Sequence, residues 1–130
     1  MILLTPELRA ALRANHAAHR AAAERGGRHD PVPVVKFFNP LGAATWVATE
    51  LYDDEDTLFG AADLGFGSPE LGVFSLIELA SIHLPFGLGI ERDVDFTSDH
   101  PLSVWADAAR ATGSIIAAEQ QLRGMQRPVP

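Results

Sequence analysis

The sequence predicts an α+β fold, a small and mainly antiparallel sheet of three to five strands with about three helices packed on it. Three observations lead there. Residues 5–26 carry a helix start, a helix period and a helix stop. Residues 32–74 hold short runs of β-formers joined by links too short for parallel crossovers, which favours antiparallel neighbours. From Ser75 onward the helix signals return.

The first helix is set by Thr5-Pro6-Glu7, an N-cap, a proline suited to the first helical position and an early acid. At 100° per residue Leu4, Leu8, Leu12, Asn15, His19 and Ala22 share a side. Arg9, Arg13, His16 and Arg20 form a separate basic ridge, and Gly26-Gly27 ends the helix. Three strands are expected at Val32–Phe38, Thr45–Leu51 and Leu58–Leu64, the last two joined by the acidic turn Asp53-Asp54-Glu55-Asp56. Phe37, Trp46 and Phe59 are expected to pack between this sheet and a helix.

After the Gly65–Glu70 loop a short strand is expected at Leu71–Phe74. Ser75-Leu76-Ile77-Glu78 then matches a capping box opening a second helix, which Pro85 and Gly87 end. Residues 90–96 suggest one more strand. A last helix is expected from Pro101 to about residue 122, with Thr112-Gly113 as a point of kinking. At 130 residues the chain reads as one domain over 1–123, with 124–130 as a mobile tail.

Composition narrows the function classes. There is no cysteine, so thiolate chemistry, thiolate metal sites and disulfides are excluded. The short apolar start, Ile2-Leu3-Leu4, lacks a basic flank and does not read as a signal peptide. No apolar run is long enough to span a bilayer, so a cytoplasmic location away from membranes is expected. The net charge of −7 is unevenly placed: residues 50–100 hold twelve acids against one arginine, while residues 1–49 hold six basic residues against three acids. An acidic middle argues against phosphate-backbone binding by that segment.

Several groups of residues invite a chemical reading, and each has a plainer one. Asp63 and Glu70 flank the Gly65–Pro69 loop and are the weak candidates for a metal-assisted hydrolase or nuclease. The plainer reading makes Asp63 a turn residue that accepts backbone N–H bonds. Pairing the strands symmetrically about the acidic turn sets Glu50 opposite Phe59 and Trp46 opposite Asp63. That separates Glu50 from Asp63 by about 13 Å, too far to share an ion. Gly65-Phe66-Gly67 completes neither a phosphate loop nor a dinucleotide pattern. His16 and His19 lack the acid of a HExxH site, and His19 reads as a buried, hydrogen-bonded core histidine. Arg9, Arg13 and Arg20 suggest nucleic-acid contact, but without interleaved aromatic residues the ridge reads first as a solvated face. Phe66, between two glycines, reads as an anchor for a protein partner, with Ser68, Pro69 and Glu70 beside it and Asp53, Asp54, Glu55 and Asp56 as an acidic contact.

Ordered blocks along the chain carry a family resemblance. Leu3-Leu4-Thr5-Pro6-Glu7-Leu8, Pro33-Val34-Val35-Lys36-Phe37-Phe38, Ala44-Thr45-Trp46, Asp63-Leu64-Gly65-Phe66-Gly67, Pro69-Glu70-Leu71-Gly72 and Ser75-Leu76-Ile77-Glu78-Leu79 together resemble the family called domain of unknown function 2958, over roughly residues 2–109. The resemblance implies a small bacterial protein often encoded near plasmid and other mobile-element genes, with no catalytic residues to carry over. The expectation is therefore a non-enzymatic accessory protein without a cofactor, acting through protein–protein contact in plasmid maintenance or counter-defence. The hydrolase using Asp63 and Glu70 and the nucleic-acid module using the Arg9–Arg20 ridge are the rivals.

Overall fold

The computed structural model of the chain describes residues 1–125, which form a five-stranded antiparallel sheet with helices on both faces. The order of elements is α1 (Pro6–Glu24), β1 (Val35–Phe38), β2 (Thr45–Leu51), β3 (Thr57–Asp63), β4 (Glu70–Ser75), α2 (Leu76–Ala80), a 3₁₀ turn at Pro85–Gly87, β5 (Glu91–Arg92), α3 (Leu102–Thr112) and α4 (Ile115–Met125). The strands lie in the order β4-β3-β2-β1-β5. The predicted α+β class and antiparallel sheet are both present.

Local chemistry places most boundaries. Thr5 accepts the Leu8 N–H at 3.2 Å and so caps α1, with Pro6 at its first position. Gly26 turns to φ +70°, and Gly27 N–H closes the helix onto Ala22 O at 2.8 Å. β1 starts later than the predicted Val32 because Pro33 has no N–H to give; the ladder opens with Val34 N–H to Ala48 O at 2.9 Å. Ser75 accepts the Glu78 N–H and caps α2 as the capping box predicts, while its own hydroxyl donates to Asp56.

Two expectations are corrected. The strand expected over residues 90–96 is only Glu91–Arg92, because Asp93 turns the chain: its side chain accepts Asp95 N–H and its carbonyl accepts Phe96 N–H. The single last helix is two. Gly113, at φ +84°, ends α3 in the left-handed conformation, and Ser114 then caps α4 by accepting Ala117 N–H. Residues 124 and 125 belong to α4 and not to a tail, and the rest of the expected tail, 126–130, lies outside the described residues.

The sheet divides two cores. Phe37, Trp46, Ala48, Leu51 and Leu58 pack with Leu12 of α1 and Leu76 and Leu79 of α2. Val47 and Ala61 pack on the opposite face with Trp105 and Ala109 of α3 and Ile115, Ala118 and Leu122 of α4. Trp105 is seated there with its indole N–H donating to Ser98 Oγ at 2.8 Å. Phe59 belongs to this second face, so it does not share the layer of Phe37 and Trp46.

The reason is a bulge in β2. Glu50 pairs with Phe59 as the symmetric register predicts, but the pairing then shifts between Ala48 and Glu50. Ala48 lies opposite Gly60, Trp46 opposite Ala62, and Thr45 opposite Asp63, each one residue from the expected partner. One extra residue, Thr49, therefore puts Trp46, Ala48 and Leu51 together on the α1 side and turns Glu50 out of that apolar layer. This is the feature of the fold that makes the site.

Candidate functional site

The bulge leaves a strand carbonyl and a carboxylate to be satisfied inside the protein, and α1 satisfies both. Asn15 donates from Nδ2 to Thr49 O at 2.9 Å. One turn of α1 further on, the Glu50 side chain, only 3% exposed, lies between two imidazoles: Oε1 is 3.0 Å from His16 Nδ1 and Oε2 is 3.1 Å from His19 Nδ1. A carboxylate only accepts, so both Nδ1 atoms donate and each ring's Nε2 is left to face outward. His16 is further held by stacking on Tyr52, with ring centroids 4.3 Å apart. Burial, with the nearby Glu50 charge, pushes the Tyr52 hydroxyl above its usual pKa.

These histidines exchange the roles the helix period suggests. His16, placed with the basic ridge, is the sheltered one at 13% side-chain exposure, whereas His19, expected in the core, is 48% exposed. The helix is rotated so that its polar residues 15, 16 and 19 meet the bulge.

Beyond His19 a cavity of about 490 Å³ opens between the C-terminal end of α1, residues 27–31 and the start of α3. Phe59, Leu71 and Leu102 give it an apolar floor, and His19, Arg28, His29, Asp30 and Glu50 line its polar side. His29 stands edge-on to His19 at 6.1 Å. Asp30 is engaged with α3, accepting the Ser103 N–H at 3.0 Å and its hydroxyl. Among the described residues no three His, Asp or Glu side chains are arranged to hold a metal ion.

Asp63 and Glu70 do not come together. Glu70 pairs with Ala62, so its neighbour Asp63 points to the other face of the sheet. Asp63 is 1% exposed, and its two oxygens accept Gly65 N–H at 2.8 Å and Ile115 N–H at 2.9 Å. It shapes the turn after β3 and holds the start of α4. Replacing Asp63 with Ala should leave both N–H groups without an acceptor and lower unfolding stability by about 2 kcal/mol, measured by urea denaturation.

The basic ridge and the acidic turn are one contact. Arg9 pairs with Glu55 at 3.0 Å, Arg13 with Asp53 at 3.0 Å and Glu55 at 3.1 Å, and Arg20 with Asp53 at 2.8 Å. The Arg13 hydrogen bond, opposed by slight desolvation, holds the Asp53 pKa below its ordinary value, and the Arg13, Arg20 and His16 charges add to it. The remaining acids are structural: Asp54 accepts the Asp56 and Thr57 N–H groups, and Asp56 accepts Ile77 N–H and the Ser75 hydroxyl. Ridge and turn thus neutralise each other, which leaves little charge for nucleic acid.

The turn also carries a pH dependence. Hydrogen bonds from Thr57, first its hydroxyl and then its N–H, hold the Asp54 carboxyl at about 2, below the ordinary 3.8. A carboxyl depressed by folding stabilises the native state above its unfolded pKa and loses that effect as pH falls through the folded one. The stability difference between wild type and Asp54→Asn should therefore be full above about pH 4 and shrink toward about pH 2, followed by urea midpoints.

At the far side of the sheet the Gly65–Pro69 loop is open. Gly65 and Gly67 sit at φ +91° and +84°, and Phe66 between them is 86% exposed. Ser68 and Glu70 are exposed beside it, whereas Pro69 is buried. One charge cluster escaped the sequence reading: Lys36 Nζ joins β1 to α4 through Glu119 at 2.7 Å and contacts Asp93 at 3.2 Å. Its partners lie 83 and 57 positions away, and no local pattern announces them.

Among the described residues no helix is long and apolar enough to cross a membrane. No curated protein and no solved structure matches the chain significantly. The family described as protein of unknown function, DUF2958, matches residues 3–116, taking in the first core, most of the second, the Glu50 site and the start of α4, and the chain belongs to that family.

Proposed function

We propose that this protein is a non-enzymatic accessory protein of a bacterial mobile element, acting in the cytoplasm by binding another protein in plasmid maintenance or counter-defence. The contact is the outer edge of β4 with the loop that precedes it. The observation that carries this reading is the exposure of apolar side chains along that edge. Phe66 is 86% and Val73 60% exposed, and Leu71 lies on the same side of β4 as Val73.

Edge strands usually carry lysine, proline or a bulge that discourages pairing. β4 (Glu-Leu-Gly-Val-Phe-Ser) carries none of these, and no strand lies beyond it among the described residues. An extended segment of a partner can add to such an edge through main-chain hydrogen bonds, with Leu71, Val73 and Phe66 supplying side-chain contact. Glu70, exposed at the start of β4, favours a basic residue in that partner.

The test uses a photo-crosslinking residue at position 66 or 73 in the full chain, expressed in a plasmid-bearing host. One defined protein should be captured from both positions. Its purified form should bind Phe66→Ser/Val73→Lys at least about tenfold more weakly than wild type, while the melting temperature is unchanged. Equal binding by that double variant would refute the surface, and robust catalytic turnover by the purified protein would refute the accessory role.

A further inference from the structure

We propose that the cavity beside His19 binds a small organic anion with an apolar body, its acidic group meeting Arg28 and its body resting on Phe59, Leu71 and Leu102. The argument rests on which charged groups already have partners. Both carboxylates on the wall are engaged inside the protein, Glu50 by two imidazoles and Asp30 by Ser103. Each carboxylate is therefore already supplied with hydrogen-bond donors. Among the described residues most other arginines, though not Arg25, are already engaged. Arg9, Arg13, Arg20, Arg110 and Arg123 are in ion pairs, and Arg92 donates to the carbonyls of Ile2 and Leu3. Arg28 lines the cavity and has neither kind of partner among the described residues.

A free guanidinium offers parallel donors that match a carboxylate or a phosphate. His19 lies beside it as an acceptor: Glu50 takes its Nδ1–H, the ring is about half exposed, and Nε2 is left for a donor group on the ligand's body. The remaining wall is apolar, and a volume of about 490 Å³ lies within the range of small-molecule sites. Glu50 acts here as a positioning residue, since it reaches the ligand only through the orientation it gives His19.

The site shares Leu71 with the proposed partner surface on β4, but its test reads Arg28, which that surface does not use, so the two readings fail separately. Its test is a titration of the purified full chain with three probes that share one skeleton, 2-naphthoate, 2-naphthamide and 2-naphthylmethylammonium, followed by backbone amide shifts. At about 0.3 kcal/mol per heavy atom, naphthoate should saturate with a Kd of about 1 mM, moving residues 28–30, 49–50 and 102–103. The neutral amide should bind about tenfold more weakly and the ammonium more weakly still. Arg28→Gln, at an exposed position, should reduce naphthoate binding to the level of the amide and leave the amide unchanged. Equal affinity for the three probes, preference for the ammonium, no effect of Arg28→Gln, or no saturable shift at these residues would each overturn the proposal.

Discussion

Replacing Gly60 with alanine should be the most damaging single methyl group that can be added to this protein, lowering unfolding stability by about 3 kcal/mol or more. Gly60 lies in the middle of β3 opposite Ala48, at the point where the β2 register shifts. A Cβ there would stand 1.9 Å from Val47 O and 2.8 Å from Ala48 Cα. Both atoms are backbone, so no side-chain rotation relieves the clash, and either β2 retreats or the bulge opens. Gly72, paired with Gly60 on β4, is the internal control, since a Cβ at that position meets nothing within 4 Å. Gly72→Ala should change stability by less than about 1 kcal/mol, set mainly by strand propensity. Chemical denaturation of the two variants decides the matter; near-equal stability would mean that the close approach of β3 to the bulge does not constrain the fold.

Gly60 also marks the limit of what the sequence made legible. Features governed by neighbours in the chain were readable: the Thr5-Pro6 start of α1, its Gly26-Gly27 stop, and the Ser75–Glu78 cap of α2 all rest on contacts within a few residues. The bulge at Thr49 depends on how β3 and α1 approach β2, and a single glycine inside a β-forming run was its one local sign. The symmetric register missed it, and the faces of Phe59 and Asp63 came out wrong as a result. The turn role weighed for Asp63 was legible from its glycine neighbours, but its second partner, Ile115, is 52 residues distant.

The arginine ridge and the acidic turn were each visible as charge patterns and were read as two outward surfaces. A helix and a hairpin tip of opposite charge in one small domain are themselves a signal that they meet, and they do. His16 and His19 were misassigned for a related reason: helical period gives relative angles around α1 but not which angle faces the sheet, and that was set by the polar demands of the bulge.

Glu50→Ala should lower stability by about 3 kcal/mol, the second large effect expected in this fold. Truncation removes the acceptor shared by His16 and His19 and leaves two imidazole N–H groups beside a small void. Of the two, His16 is the more sheltered, so its loss of a partner should dominate. His19, half exposed, can turn to water, and His19→Ala should therefore cost less than about 1 kcal/mol. Glu50→Gln should fall between wild type and Glu50→Ala, because its one carbonyl oxygen can serve only one ring unless the other changes tautomer. In a double-mutant cycle Glu50→Ala with His16→Ala should cost clearly less than the sum of the single changes, by about 1 kcal/mol or more, while Glu50→Ala with Arg110→Ala should be additive. Additivity of the first pair would mean that the carboxylate is held by something other than the imidazole. In that event the bulge would owe its stability to the Asn15–Thr49 bond and the packing of Leu51, and Glu50 would not be what fixes the rings at the mouth of the cavity.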